Sequence, residues 1–134
     1  MKELVSPELS VLICTRNRPE KLRRAVASVL ANSVSNFELI VVDQSTDQLS
    51  AEVMASFGDG RIRYLRTPTV GLAISRNIAI RAARADTLVF TDDDCVCDRE
   101  WLAAIRLRLD AAVAFSRLAL RLEAQGHVQS YILP

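Results

Sequence analysis

Histidine is nearly missing from this chain: among 134 residues only His127 carries an imidazole, in a stretch beside Gly126 that reads as a turn, and it is given no chemical role. The three cysteines, Cys14, Cys95 and Cys97, are odd in number and lack the paired spacing of a zinc site. They are read as free buried thiols, with neither disulfide nor zinc. Glycine is also scarce, and the chain has neither the glycine-rich loop that cradles phosphate in NTPases nor the dinucleotide glycine fingerprint, so both of those readings lose ground. No uncharged apolar run approaches the roughly 18 residues of a membrane span, and Met1 to Glu8 lacks the apolar core of a signal peptide. The expected location is therefore cytoplasmic, with no transmembrane segment. A charge of one sign is missing too: 17 Lys and Arg nearly cancel 16 Asp and Glu, leaving a net +1 and no global footprint for nucleic acid. The local run Arg16, Arg18, Lys21, Arg23 and Arg24 is read as a solvated helix face.

What remains is the balance of an ordinary globular protein, 50% apolar and 25% charged, and a single domain over 1–134 is the working assumption. Leu9 to Cys14 is a short apolar run, and Pro19 opens a segment in which Leu22, Val26, Val29 and Leu30 recur at helical spacing. Phe37 to Val42 repeats the strand signal, and Leu49, Val53 and Phe57 follow at intervals of four. After the Gly58-Asp59-Gly60 turn, Arg61 to Arg66 alternates as a third strand, with the character of an edge. Ile74, Ile78 and Ala82 line a third helix behind the loop marked by Pro68 and Gly71, and Thr87 to Thr91 forms a fourth strand. Trp101, Leu102, Ile105 and Leu109 then space as a helix. Beyond Asp110 two readings stand, a helix continuing to Ala124 or a hairpin of Val113 to Glu123 with Val128 to Leu133; Gly126 tips the balance towards the hairpin.

Strands alternating with amphipathic helices predict an α/β fold: a parallel sheet of spatial order 3-2-1-4, helices on both faces, and ligands beyond the carboxyl ends of the strands. Asp92-Asp93-Asp94 sits at such an end, directly after Leu88-Val89-Phe90. Three adjacent carboxylates repel one another unless a cation offsets the charge, and Mg2+ or Mn2+ held by one or two of them plus substrate phosphates fits this better than an all-protein calcium cage. The competing account is a solvated loop or a helix cap. Asp43 ends the second strand, where it is either a turn-forming residue or an acceptor for a base or ribose. Thr15, Arg16 and Asn17 end the first strand and form at least a polar turn before Pro19. Arg76, early in the third helix, could meet a diphosphate together with backbone donors. Arg81 and Arg84 lie further along and read as exposed helical arginines.

Taken together, Val11-Leu12-Ile13-Cys14-Thr15-Arg16-Asn17-Arg18, Leu39-Ile40-Val41-Val42-Asp43, Gly71 through Arg76-Asn77, and Phe90-Thr91-Asp92-Asp93-Asp94-Cys95 resemble family 2 glycosyltransferases of the GT-A fold. Each motif is weak alone; four in the family's order and spacing are specific. The resemblance implies that Thr15 and Asp43 contact the nucleotide base and that Arg76 lies near the base or diphosphate. It also implies that the Asp92-x-Asp94 (DXD) pattern supports ribose and metal, with Asp94 the leading metal ligand. Arg16, Asn77, Asp92 and Asp93 complete the expected nucleotide-sugar site, and Asp92 with Asp94 the expected site for Mn2+ or Mg2+. Such enzymes transfer a sugar from a nucleotide-diphosphate donor, here expected to be a UDP-sugar, to an acceptor that remains unknown. Family members carry the acceptor-binding half and catalytic carboxylate beyond the length of this chain. The chain is therefore expected to be the donor-binding part of an inverting enzyme, truncated at its C-terminus. Neither Asp110 nor Glu123 has a matching motif, so no catalytic base is assigned. A non-catalytic nucleotide-sugar binding module is the alternative.

Overall fold

The computed structural model describes residues 6–111. Four strands, β1 (Leu9–Thr15), β2 (Phe37–Asp43), β3 (Ile62–Arg66) and β4 (Thr87–Asp92), alternate with helices α1 (Pro19–Leu30), α2 (Leu49–Ala55) and α3 (Leu72–Ala82). All three strand pairings are parallel, in the order β3-β2-β1-β4, as the alternating periodicities predict. The third strand lies at an edge, and its residues are half-buried or exposed, whereas β2 is buried along its whole length. A strand buried on both faces reads as a continuous apolar run, and Leu39-Ile40-Val41-Val42 is one.

Right-handed crossovers carry α1 and α2 over one face on the way out to β3, and α3 over the other on the return to β4. The alternation of side chains divides the core accordingly. Leu12, Ile40 and Val42 form one cluster with Ala79 of α3, against which Ile78, Ala82 and Leu88 pack. Val11, Ile13, Leu39 and Val41 point to the opposite face and are just as completely buried. There α1 turns Leu22, Ala25, Val26 and Val29 inward, an i, i+3, i+4, i+7 stripe, and packs beside α2. Full burial of one such side chain contributes about 1.5–3 kcal/mol.

Two helical stripes differ from expectation. Leu49 is exposed at the first position of α2, and this short helix buries Ser50, Val53 and Met54 instead; Phe57 lies beyond its end. A four-residue interval is satisfied by any of several lines on a helix, and the burial follows the i, i+3, i+4 set facing α1. In α3, Ile74 is exposed and the buried line runs through Ser75 and Ala79. The three cysteines are free, as read, but they are not uniformly buried: Cys95 is exposed and Cys14 and Cys97 are half-buried.

The amino end of the sheet is held by a buried polar cluster that the sequence pattern did not reveal. Glu38 accepts hydrogen bonds from Ser10 Oγ at 2.6 Å, from the Arg84 backbone N–H at 2.6 Å and from Arg63 at 3.1 Å. Burial alone would push its carboxyl up, but the three donors together outweigh it and hold the group below the ordinary glutamate range.

A second compact unit, Glu100–Pro134, is described only in its first part, a helix over residues 101–111 in which Leu102 is buried and Trp101, Ile105 and Leu109 are half-buried. The alternatives of helix or hairpin after Asp110, together with Glu123 and His127, lie outside the described residues. No helix among the described residues is long and apolar enough to cross a membrane.

Candidate functional site

In the register of the sheet Thr15 stands opposite Asp43, and Cys14 opposite both Val42 and Asp92. Parallel strands therefore deliver Thr15, Asp43 and the aspartate run to one edge, the carboxyl end. Strand alternation then separates the three aspartates. Asp92 shares the face of Cys14, Phe90 and α3, and its Oδ1 lies 3.8 Å from Arg76, whose guanidinium is also 5.9 Å from the Phe90 ring centre. Asp93 turns to the other face, where it is buried: its Oδ2 accepts from Thr15 Oγ1 at 2.9 Å and its Oδ1 faces Arg18 at 3.4 Å. Asp94 is exposed, 3.7 Å from Arg18. One oxygen each from Asp92 and Asp94 and the Cys95 sulfur lie within 4.8 Å of one another, all on exposed residues. Two outward carboxylates can take a cation, whereas the inward one already serves Thr15.

Asp43 is fully buried. Its Oδ1 accepts from the Ser45 N–H at 2.8 Å, and its Oδ2 accepts from the Tyr64 hydroxyl. Burial, with the Asp43 hydrogen bond and charge, pushes the Tyr64 phenol far up, so it stays a donor. The loops after β1 and β2 are stitched together beside it. Asn17 Oδ1 accepts from the Thr46 N–H at 2.9 Å, and the Asn17 N–H donates to Ser45 Oγ at 2.8 Å. Asn17 does this from a left-handed backbone, φ 54°, that asparagine tolerates better than most residues.

Two open cavities meet at this edge. One, of about 560 Å³, is walled by Asp92, Asp93, Asp94, Thr15 and Arg18, with Cys14 and Ser75 among the other contributors. The second, of about 550 Å³, lies between the ends of β2 and β3 and is walled by Ser45, Thr46, Arg66, Thr67 and Pro68. Arg16, Gln44 and Val70 line both. Burial pushes the Cys14 thiol up, against a hydrogen bond with Ser75 and the charge of Arg76, so this sulfur is a poor nucleophile at neutral pH.

The expected site residues are thus brought together in part. Thr15, Arg16, Asp92, Asp93 and Asp94 share the first cavity; Arg76 reaches it through Asp92; Asp43 lies beneath the edge and lines neither cavity; Asn77 is exposed on α3 and lines neither. Gln44 and Val70 were not singled out from the sequence as site residues. Gln44 directly follows Asp43, and its placement depends on contacts with Thr69 and Gly71, 25 and 27 residues away.

Known proteins share this fold. The chain resembles S. aureus TarS 1-349, with a TM-score of 0.69 and 25% identity over 78% of this chain and 32% of that one. It also resembles the mannosyltransferase PcManGT of Pyrobaculum calidifontis, with a TM-score of 0.62 and 23% identity over 75% and 33%, a likeness of fold. Among curated proteins, an uncharacterized glycosyltransferase of Rickettsia felis is 35% identical over 88 residues, 65% of this chain and 15% of its own. Glycosyltransferase GlyA of Streptococcus pneumoniae serotype 4 is 23% identical over 135 residues, 97% and 19%. The chain thus spans less than a fifth of the length of these two relatives. The sequence profile named Glycosyl transferase family 2 matches residues 10–118, which takes in the four strands from the second residue of β1 onward and the aspartate run. With the parallel 3-2-1-4 sheet and its GT-A neighbours, that match places the chain in glycosyltransferase family 2.

Proposed function

We propose that the paired cavities hold a nucleotide-diphosphate sugar, with UDP as its nucleotide, together with Mn2+ or Mg2+, and that the chain is the donor-binding part of an inverting glycosyltransferase. The observation that carries this reading is the division of the aspartates: Asp92 and Asp94 are outward and close enough to share a cation, beside Arg16, Arg18 and Arg76. Two carboxylates give hard oxygen donors and leave room for substrate phosphate, which suits a small divalent cation. The donor set therefore fits the metal that the family resemblance implies, with Asp94 and Asp92 as the DXD ligands. The metal, when bound, would neutralise charge developing on the leaving diphosphate.

The chain's own residues do the rest. Arg18 and Arg76 pair with the aspartates at 3.4–3.8 Å through half-exposed side chains, contacts weak enough to be exchanged for phosphate oxygens. Asp93 holds Thr15 and the start of α1 in place beneath the donor. TarS has been solved with UDP-GlcNAc and is 26% identical here, which favours a uridine nucleotide. The test is the Mn2+ electron-spin resonance signal titrated with protein and UDP. The parent chain should quench it, and Asp94→Asn should not while keeping the same unfolding midpoint. Equal quenching by both proteins would remove Asp94 from the metal site.

A further inference from the structure

The aspartate run that ends β4 continues into a reverse turn, and the turn decides which side chains meet. The Cys95 N–H donates to the Asp92 carbonyl at 3.2 Å, an i to i+3 bond that draws the two ends of the turn together. Asp93, second in the turn, is buried and fixed by Thr15 and Arg18. Asp92, Asp94 and Cys95 are left outward as one exposed group, with a donor atom from each within 4.8 Å of the others. The Cys95 thiol faces a carboxylate within this group, Asp94 Oδ1 at 3.7 Å, whereas Arg18 meets the other oxygen, Oδ2, also at 3.7 Å. Cys14 and Cys97 are half-buried and stand outside the group.

A sulfur beside two carboxylates changes which cation the group suits. Carboxylates alone suit Mg2+ and Mn2+; thiolate sulfur is a soft donor that Zn2+ binds well and that these harder cations use little. Two oxygens and one sulfur make three protein donors, the number with which zinc sites keep a fourth position open for an outside ligand, here a phosphate oxygen. The cysteine spacing that argues against zinc in the sequence concerns closed structural sites, which take paired cysteines and histidines. One cysteine with two aspartates is a different donor set, and only the turn at the end of β4 brings it together.

Building on the metal reading above, we propose that Cys95 Sγ is a third donor of the cation site, so that Zn2+ gains a sulfur bond that Mn2+ and Mg2+ do not use and displaces them from Asp92 and Asp94. As the sulfur–zinc bond forms, the thiol proton passes to solvent, and nothing is oxidised. The test uses the full chain with its thiols reduced and Co2+ as the spectroscopic stand-in for Zn2+. The parent should develop a sulfur-to-cobalt charge-transfer band that saturates at about one Co2+ per chain, and Cys95→Ser should lose it. In competition followed by the Mn2+ electron-spin resonance signal, Zn2+ should release Mn2+ from the parent at a concentration at least about tenfold lower than from Cys95→Ser, since a lost donor should cost no less than a lost outer partner. The two proteins should bind Mn2+ itself within about twofold of one another. A parent that binds Mn2+ but shows no charge-transfer band, or a band that persists in Cys95→Ser, would overturn the role of Cys95 and leave the carboxylate site standing. A parent that binds neither Mn2+ nor Co2+ would overturn the metal reading, and this inference with it.

Discussion

Substituting Asp93 and Asp94 separately should give opposite phenotypes, although the two residues are adjacent and identical. Asp93 accepts a 2.9 Å hydrogen bond from the buried Thr15 hydroxyl, a bond to an ionised acceptor worth about 1.5–3 kcal/mol. Its contact with Arg18 at 3.4 Å adds less than about 1 kcal/mol, because the Arg18 side chain is half-exposed. Asp93→Ala strands the Thr15 hydroxyl without an acceptor, so the expected cost is about 2–4 kcal/mol. Asp94→Ala removes an exposed carboxylate from a cluster of like charge, and stability should stay within about 0.5 kcal/mol of the parent. The assay is urea unfolding of the parent, Asp93→Ala, Thr15→Val and the double variant, with Asp94→Ala alongside. The cycle should return a coupling between Thr15 and Asp93 of about 1.5–3 kcal/mol. A coupling below about 0.5 kcal/mol, or an Asp94→Ala variant as unstable as Asp93→Ala, would refute the division of the aspartates between the two faces.

Further outcomes follow from the same geometry. Glu38→Gln should cost about 1–3 kcal/mol at pH 7, since it withdraws the charge from three hydrogen bonds. Because the folded carboxyl titrates below its ordinary value, its contribution is present above the unfolded glutamate range and is lost as pH falls through the folded value. The deficit of the variant should therefore shrink on acidification, as read from unfolding midpoints across pH, and a deficit independent of pH would contradict the charge assignment. Iodoacetamide at pH 7.5 should modify exposed Cys95 well before Cys14, whose thiol is pushed up by burial; peptide mapping that found Cys14 modified first would reverse this ranking. Tyr64→Phe removes the donor to buried Asp43 and should lower stability by about 1–3 kcal/mol; an unchanged unfolding midpoint would show that hydrogen bond to be idle.

Periodicity sufficed for the elements and their order. The Leu22, Val26, Val29 stripe recurs at helical spacing, short apolar runs such as Leu39 to Val42 bounded by polar loops read as buried strands, and the crossover rule turns the alternation into the sheet order that is found. The shared edge followed as well, since residues that end parallel strands must emerge together. The roles of neighbouring side chains were less legible. Which aspartate turns inward depends on the phase of β4 against Thr15, a pairing 78 residues apart. The seating of Asp43 depends on Tyr64, 21 residues on, and Glu38 draws its partners from Ser10, Arg63 and the Arg84 backbone. Such long-range polar pairs leave no periodic trace, because each needs only one residue at one place. The exposed Leu49 and Ile74 show the converse, apolar residues on a helical line that tertiary packing does not use.

The central claim, that this edge binds a nucleotide diphosphate through a divalent cation, is tested most directly by calorimetric titration of UDP into the full chain with Mn2+ and with the metal removed by chelation. Metal-dependent binding to the folded chain is predicted: a saturable heat of about one UDP per chain with Mn2+ and at least a tenfold loss of affinity without it, the loss disappearing in Asp94→Asn because that variant starts from the weaker value. Binding of UDP with the same affinity in the presence and absence of metal, or no binding in either, would contradict the account.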